Sequence, residues 1–416
     1  MIKKQGFSRY HRFVIAILAI LQFTIVLDFM VLSPLSAILL DELTITTTQF
    51  GLVVSAYAFS AGISGLLAAG FADRFDRKKL LLFFYIGFII GTLFCGLAPT
   101  YNSLLAARIV TGLFGGVMSS VGFAIITDLF PLEKRGRVMG FVQMAFAASQ
   151  VLGIPFGLYL ATKLDWHAPF LLIVALAIIV LIAIIFYLKP VNEHLKLQTK
   201  QNAFVHLFKT ASNRRYIKGF GVTIFLATGG FMLMPFGSAF SVNNLGVDLS
   251  ELPMVYMITG MFTIFMGPMA GKISDKVGKY KVFWVGSVIT IFMVTVYCSM
   301  GHIPIWLVIA LNVILFLGIT ARMISAQALM TAVPEPKDRG AFMGINSSIQ
   351  QISGGFASAI AGMIVIQSDS GKIIHYDTLG HVVSGTVFIT IVLMYFINQM
   401  IFSKNNDTKQ ITPKAV

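Results

Sequence analysis

Charged residues are scarce in this chain of 416 residues, and acidic ones are the scarcest. Only 12% of the residues are charged, with 17 Asp and Glu against 31 Lys and Arg, whereas 57% are hydrophobic. Soluble domains carry about 25% charged and about 45–50% apolar residues. Because so little polar surface is present, the composition excludes an ordinary soluble domain and predicts lipid as the solvent.

Cysteine is almost absent, and so are the motifs of soluble enzymes. The two cysteines, Cys95 and Cys298, both fall inside long apolar runs, so neither a disulfide framework nor a metal site is expected. The phosphate-binding pattern Gly-x-x-x-x-Gly-Lys-[Ser/Thr] is missing, which leaves ATP-driven transport without support. No segment is long enough for a soluble catalytic domain. We therefore predict no enzyme activity, no cofactor and no metal.

Long apolar runs are what the sequence has instead. A helix needs about 20 mostly apolar residues to cross a hydrocarbon layer of about 30 Å. Twelve runs meet this requirement, which predicts an all-α membrane protein. They lie at 13–40, 48–68, 80–98, 101–126, 137–162, 167–188, 217–242, 252–271, 282–300, 303–330, 341–366 and 381–402.

The basic residues fall almost entirely on one side of these spans. With twelve spans both termini share a side, and 27 of the 31 Lys and Arg lie there, against Lys163 and Lys372 opposite. Cytoplasmic loops carry this excess, so both termini are predicted to be cytoplasmic. The net charge of +14 then reflects insertion and anionic inner-leaflet lipid, and no nucleic-acid partner is expected.

Two motifs occur once in each half of the chain. The stretch AGFADRFDRKK returns as GKISDKVGKYK and places Asp73 and Asp275 202 positions apart. The stretches PLEKRGRVMG and EPKDRGAFMG share RG-x-x-MG and place Arg135 and Arg339 204 positions apart. Repetition at a nearly constant distance predicts a duplicated structural unit.

The duplication divides the chain into two six-span halves. We predict an N-terminal six-helix bundle (1–188), a cytoplasmic linker (189–215), a C-terminal six-helix bundle (216–402) and a cytoplasmic tail (403–416). Two such bundles, related by a pseudo-twofold axis along the membrane normal, enclose a cavity near the midplane. Rocking of one bundle against the other then exposes that cavity to each side in turn.

These repeats resemble the major facilitator superfamily, and in particular its twelve-span drug–proton antiporter branch. The family's loop signature is Gly-x-x-x-Asp-[Arg/Lys]-x-Gly-[Arg/Lys]-x-[Arg/Lys], and the second copy fits it with Gly271, Asp275, Lys276, Gly278, Lys279 and Lys281. In the first copy Ala69 and Asp76 replace the two glycines. The Arg-x-x-x-Gly that begins at Arg108 resembles the span-4 motif of proton-coupled antiporters. The branch's span-5 motif is matched only in part, because Ser149 replaces its first Gly and Pro155 comes one residue late.

The duplicated loops are expected to act in gating. Asp73 and Asp275 lie next to sharp turns, where a carboxylate can bind backbone N–H groups at a helix N-terminus or a nearby arginine. Arg77 is expected to meet Asp128, and Lys279 belongs to the same predicted set. Charge-assisted bonds contribute about 1.5–3 kcal/mol each, enough to bias a rocking equilibrium. The alternative is that these residues determine topology alone.

Three ionisable residues lie well inside the predicted spans: Asp28, Arg108 and Arg322. Each costs at least about 2.5–3.5 kcal/mol at the bilayer centre without a partner. Asp28 lies about 22 Å along span 1 and Arg108 about 10 Å into span 4 from the opposite side, so the two depths are compatible with pairing. The pair is expected to couple a proton to transport. A static ion pair and a purely substrate-binding acid are the alternatives.

Arg322 leaves three possibilities open, which are an anionic substrate group, a pair with Asp28, and an extended position that reaches the membrane surface. The substrate cavity is otherwise expected to be apolar, because span 7 is rich in Gly, Met and Phe, and both Met and Phe form adaptable surfaces. The side chains expected to line it, besides Arg322, are Gln22, Ser33, Met232, Phe236, Asn312 and Asn346.

Taken together, the sequence predicts a monomeric secondary transporter in a bacterial inner membrane. Its expected partners are a small molecule, a proton and the lipid bilayer. The first hypothesis is proton-coupled export of small hydrophobic or amphipathic compounds by alternating access. The second is proton-coupled uptake or exchange of a polar metabolite, which includes anionic ones, and the third is a non-transporting receptor on the same fold.

Overall fold

Helices follow one another along nearly the whole described chain. The computed structural model describes residues 7–131, 135, 138–139, 141–142, 144–145, 148–193, 195, 203–335 and 338–411. The helices of the first half are α1 (Arg9–Val31), α2 (Ser36–Glu42), α3 (Thr47–Phe71), α4 (Arg77–Cys95), α5 (Tyr101–Leu129), α6 (Ile154–Lys163) and α7 (Ala168–Tyr187). Those that follow are α8 (Ala203–Ala211), α9 (Arg214–Phe231), α10 (Gly237–Asn243), α11 (Leu252–Val277), α12 (Lys279–Cys298), α13 (Ile305–Met330), α14 (Arg339–Ile364) and α15 (Tyr376–Ile411).

Within the described residues, ten helical segments are long and apolar enough to cross a membrane, with Arg214–Asn243 counted as one of them. A shorter apolar segment, Val151–Lys163, contains α6. Helix α14 has 26 residues but carries Asn346 and several Ser, Gly and Gln, and it is not among the ten. The predicted mostly helical membrane fold is therefore confirmed, while the count of twelve spans in two bundles stays a prediction.

Prolines break two of the predicted spans. The span expected at 13–40 is interrupted between α1 and α2 by a turn that contains Pro34. The span expected at 217–242 is interrupted by a 3₁₀ turn, Met234–Phe236, that contains Pro235. Proline lacks the N–H that a continuing helix needs, and its ring clashes with the preceding turn. Each of these two predicted spans is therefore built from two helical pieces, and the break recurs at equivalent points of the two halves.

Contacts join helices within each half and between the halves. In the first half α3 and α4 both pack on α5, and α7 packs on α1 and α4. In the second half α13 packs on α11 and α12, while α15 packs on α9 and α12, and α9 packs on α14. Between the halves α3 packs on α14, α6 on α11, and α2 on α10. Helix α8, which lies in the segment predicted as a linker, packs on both α3 and α14.

The contact between α3 and α14 is unusually close because glycine backbones form it. A Cβ on Gly51 would lie 2.8 Å from the carbonyl oxygen of Ser358, and one on Gly362 would lie 2.7 Å from that of Thr47. Thr47 donates hydrogen bonds to the carbonyls of Gly362 and Val365. Small residues permit such an approach between membrane helices. The two halves are therefore in direct backbone contact along this line.

A short hairpin follows α14. Strand β1 (Ile366–Gln367) pairs antiparallel with β2 (Ile373–Ile374), and Gly371 turns between them with φ of +81°. The Gln367 side chain donates to Asp41 at the end of α2, at 3.2 Å. The hairpin thus adds another contact between the halves.

Candidate functional site

Asp28 and Arg108 form a buried ion pair. Arg108 Nη1 lies 2.8 Å from Asp28 Oδ2, and the two side chains are 1% and 0% exposed. The same nitrogen lies 3.3 Å from the Asp28 carbonyl oxygen, and Thr92 Oγ1 donates to Asp28 Oδ1 at 3.1 Å. Helices α1, α4 and α5 each contribute one side chain. The structure therefore brings together the two residues that the depth argument paired, and adds Thr92.

An aromatic ring covers the guanidinium of Arg108. The Arg108 Cζ lies 4.5 Å from the centroid of the Tyr57 ring on α3. Within the described residues, Arg108 Nε and Nη2 have no hydrogen-bond partner. A desolvated cation over an aromatic face gains about 2 kcal/mol or more. The ring of Tyr57 thus supplies part of the stabilisation that two of the three guanidinium nitrogens do not obtain from acceptors.

Gly112 sets the position of Tyr57. A Cβ on Gly112 would lie 2.1 Å from Ser60 Oγ and 2.4 Å from the carbonyl oxygen of Tyr57. Only a residue without a side chain lets α3 approach α5 this closely. Arg108 and Gly112 are four residues apart, so they lie on adjacent turns of α5. Because α3 contacts α5 at Gly112, the ring of Tyr57 on α3 lies over the guanidinium of Arg108.

The ion pair adjoins an apolar cluster to which both halves contribute. Val26 and Met30 of α1 and Ile154 of α6 form its buried centre, with Phe29, Met234 and Tyr256 packed against them. The Phe29 ring lies 5.2 Å from that of Tyr57 and 5.7 Å from that of Phe231 on α9. Asp28 is therefore flanked on its own helix by residues that contact the other half. We call these six residues, Val26, Phe29, Met30, Ile154, Met234 and Tyr256, the midline cluster.

Within the described ranges, Arg322 has no acidic partner of the kind that Asp28 provides for Arg108. It is 2% exposed, and its Nε and Nη2 have no hydrogen-bond partner in the described part of the chain. Its Nη1 would lie 3.6 Å from a Cβ on Gly229, beside Thr386. Among described residues the side-chain partners of Asp28 are Arg108 and Thr92, so Arg322 does not pair with it here. Its burial within the second half also differs from an extended position at the membrane surface.

The remaining predicted cavity residues occupy different environments. Met232 and Phe236 are 1% and 0% exposed and lie in the hydrophobic core, so their role in lining a substrate cavity stays a prediction. The polar ones mostly join helices of one half. Gln22 accepts from Ser119, Asn312 donates to Tyr297 at 3.3 Å, Asn346 accepts from Thr223, and Ser33 is 4% exposed.

The first charged loop makes the ion pair that its sequence suggested. Arg77 Nε lies 3.1 Å from Asp128 Oδ2, and Arg77 Nη1 donates to the Ala72 carbonyl at 3.0 Å. Asp76 caps α4 by accepting from the N–H groups of Lys78 and Lys79 at 2.8 and 3.1 Å. This cap accounts for an acid at a position where the family motif has glycine. Asp73 lies in the 3₁₀ turn Ala72–Arg74, and its side chain is outside the described part.

The second charged loop is arranged differently. Asp275 is exposed in the last turn of α11, and in the described residues no carboxylate–cation contact within 4 Å involves it. Gly278 turns the chain with φ of +109°, and Lys279 begins α12. The gating roles of Asp275 and Lys279 stay predictions. Asp338, which the sequence reasoning missed, instead contacts His206 at 3.1 Å and Tyr216 at 2.8 Å.

Comparison with known proteins identifies the family. The profile of the Major Facilitator Superfamily matches residues 18–358 and 220–411. The chain belongs to the Major Facilitator Superfamily. Members are membrane-embedded secondary transporters of small molecules and not enzymes, which confirms those coarser predictions and makes this chain a multi-pass membrane protein.

Individual superfamily members are similar to different parts of the chain. An uncharacterized transporter of Bacillus subtilis, YceJ, is 26% identical over 285 residues, which are 68% of this chain and 71% of that one. Multidrug resistance protein 3 of the same species is 35% identical over 148 residues, 36% of this chain and 29% of that protein. The crystal structure of a D-xylose–proton symporter superposes with a TM-score of 0.73 at 17% identity, covering 92% of this chain and 97% of that one.

Proposed function

We propose that this superfamily member is a proton-coupled exporter of small hydrophobic or amphipathic compounds. In this proposal twelve spans form two six-helix bundles in a bacterial inner membrane, and a monomer works by alternating access with both termini in the cytoplasm. The observation that carries the proposal is the Asp28–Arg108 pair, closed from solvent and flanked by the midline cluster. Similarity of one third of the chain to a multidrug resistance protein favours export.

The proton acts at the Asp28 carboxylate. Protonation of Oδ2 removes the negative charge that holds Arg108 Nη1 at 2.8 Å, and the pair is then joined by a weaker neutral contact. Asp28 lies between residues that touch the other half, so loosening of α1 against α5 changes the midline cluster directly. Proton binding and the contact between the halves are coupled in this way.

The substrate is proposed to bind where the residues of the midline cluster move apart. Phe29, Met30 and Met234 present ring and thioether surfaces that adapt to apolar molecules of different shapes. In this structure the halves are joined at α2–α10, where Ser238 donates to the Pro34 carbonyl at 2.5 Å and Ala239 N–H donates to Ser36 at 3.2 Å. By the predicted topology that side is the outer one. We therefore assign the structure to the state that is closed toward the outside.

A transport assay tests this function. Purified protein is reconstituted in liposomes with an imposed pH gradient, and efflux of fluorescent lipophilic cations is followed together with internal pH. The Asp28→Asn variant is expected to lose at least about 90% of gradient-driven flux and to retain substrate binding, since the midline cluster is unchanged. Asp369→Asn, at an exposed position in the β1–β2 hairpin, is the matched control. Full pH-driven flux in Asp28→Asn would contradict proton coupling at this residue.

A second candidate, uptake or exchange of an anionic metabolite, is favoured by Arg322. Among the residues that the structure describes, Nε and Nη2 of this buried guanidinium have no hydrogen-bond acceptor, so they are suited to bind a carboxylate or phosphate. In the same liposomes, Arg322→Gln is expected to abolish exchange of anionic substrates and to leave the flux of lipophilic cations unchanged. Two results together would select this candidate. The unmodified protein would exchange anions but show no flux of apolar compounds, and both Asp28→Asn and Arg322→Gln would abolish the anion exchange.

A further inference from the structure

A crevice lies on the exposed surface of the second half, between the start of α12 and the later part of α15. Its volume is about 550 Å³, and it is lined by Val277, Tyr280, Lys281, Trp284, Val285 and Tyr395. Three of the six residues are aromatic, two are valines, and one is a lysine. The crevice is distinct from the Asp28–Arg108 site, which is formed by α1, α4 and α5.

Contacts among the lining residues hold the aromatic walls in place. The Tyr280 and Tyr395 rings meet edge to face, with centroids 5.8 Å apart. The Tyr280 hydroxyl lies 3.4 Å from the Ile391 carbonyl oxygen, and Gln399 donates to the Tyr395 hydroxyl at 3.2 Å. Because both rings are anchored to α15, the opening between α12 and α15 is formed before any ligand arrives.

The open part of the crevice is apolar. Trp284 is 48% exposed, and Val285 is 50% exposed beside it. Both belong to the first two turns of α12, a helix that is apolar and long enough to cross a membrane. Tryptophan and tyrosine are enriched at the level where hydrocarbon meets lipid headgroups. The walls therefore fit the upper part of an acyl chain and its ester region.

A positive charge lies at the mouth of the crevice. Lys281 is exposed in the first turn of α12, and in the part of the chain that the structure describes no carboxylate lies within 4 Å of its ammonium group. The preceding residues, from the end of α11 to the start of α12, add three more lysines and one acid, Asp275. A cation above an apolar, aromatic slot matches a ligand that has a negative headgroup attached to hydrocarbon.

We propose that this crevice binds one anionic phospholipid from the leaflet that adjoins the α11–α12 loop. The phosphate contacts the Lys281 ammonium group, and one acyl chain lies along Trp284 and Val285. A neutral phospholipid carries no net charge for Lys281 to neutralise, so it is bound less tightly. The site links α12 to α15 through the lipid at the surface of the second half.

Trp284 itself can report this lipid. The chain has three tryptophans, so the double variant Trp166→Phe/Trp306→Phe leaves Trp284 as the only one. The full chain is reconstituted with increasing fractions of dibrominated phosphatidylglycerol or dibrominated phosphatidylcholine, whose bromine atoms quench fluorescence on contact. Half-maximal quenching is expected at an about fivefold lower fraction of the anionic lipid, the effect of one lysine near an anionic headgroup.

Substitutions of Lys281 separate lipid binding from general exposure. In the same background, Lys281→Gln is expected to remove the fivefold difference, and Lys281→Arg to retain it. Lys163→Gln, at the end of α6, is the matched control and is expected to leave the difference unchanged. Equal quenching by the two lipids in the unmodified background, or a preference that survives Lys281→Gln, would overturn the proposal. Absence of quenching by both lipids would show that no phospholipid contacts Trp284 and would overturn it too.

Discussion

The ring of Tyr57 lies over the guanidinium of Arg108, with the Cζ 4.5 Å from the ring centroid, while the same guanidinium binds Asp28. Removing the partner of a buried charge costs about 3–5 kcal/mol, because the remaining charge is left uncompensated. The ring contact does not depend on the charge of Asp28. Tyr57 therefore still stabilises the Arg108 cation in the state in which Asp28 carries the proton.

Removal of the Tyr57 ring should reduce proton-driven flux more than it reduces substrate binding. Tyr57→Leu is expected to reduce gradient-driven flux by about thirtyfold or more, the factor that a desolvated cation–π contact of about 2 kcal/mol or more predicts. Tyr57→Phe keeps the ring and is expected to stay within about twofold of the unmodified protein. Flux in liposomes measures both. Equal losses in the two variants would assign the effect to the hydroxyl group instead.

The close approach of α3 to α5 can be tested at one glycine. Gly112→Ala introduces a Cβ at 2.1 Å from Ser60 Oγ and 2.4 Å from the Tyr57 carbonyl, so the helices must separate. We expect a loss of about 1–3 kcal/mol in stability, as for other overpacked cores. Thermal unfolding in detergent measures it. Gly385→Ala is the control, because its Cβ meets nothing within 4 Å; a similar loss there would contradict a local clash.

Weakening the contact between α3 and α14 should change the distribution of conformations. Thr47→Ala removes a hydroxyl whose single proton is shared between two carbonyls of the other half, and a net value of about 0.5–1.5 kcal/mol for one hydrogen bond predicts a shift of at least about twofold toward opening at α2–α10. Distances between spin labels at positions 42 and 369 report it. Thr44→Ala loses only a bond to the adjacent Leu43 and should leave the distribution unchanged.

The Arg77–Asp128 pair should stabilise the first half by a measurable coupling energy. The side chains are 7% and 20% exposed, so their bond is only partly screened by solvent. A double-mutant cycle of Arg77→Gln and Asp128→Asn is expected to give about 1–2 kcal/mol, somewhat below the range for fully buried charge-assisted bonds. Arg74→Gln, at an exposed position nearby, is the control. A coupling energy near zero would leave this arginine with a topological role alone.

The hydrophobic pattern was sufficient to predict the membrane fold, and the counting of helix depths was sufficient to propose the Asp28–Arg108 contact. Both follow from the rise per residue of a helix and from the cost of a charge in hydrocarbon. Tyr57 was not predicted, because an aromatic residue in an apolar span carries no periodic signal. Its role depends on the distance between α3 and α5, which Gly112 determines. The signal available was the Arg-x-x-x-Gly spacing itself.

Other features depended on packing between distant segments. Pro34 and Pro235 were present in the predicted spans, yet run length alone did not reveal that each helix would end and restart there. Met232 and Phe236 were assigned to a cavity because of their chemistry, and their burial in the core leaves that assignment a prediction. Which face of a helix meets a cavity depends on its rotation, and apolar residues on all sides of a helix do not specify that rotation.

The line of glycines between α3 and α14 has a mechanical consequence. Interlocked side chains would have to disengage before one half could turn against the other, whereas at Gly51 and Gly362 the two helices meet backbone to backbone and can turn with little loss of packed volume. This line is therefore suited to serve as the pivot of the molecule. Bulkier residues at Gly51 or Gly362 would be expected to stiffen the whole transport cycle without touching either the proton site or the guest.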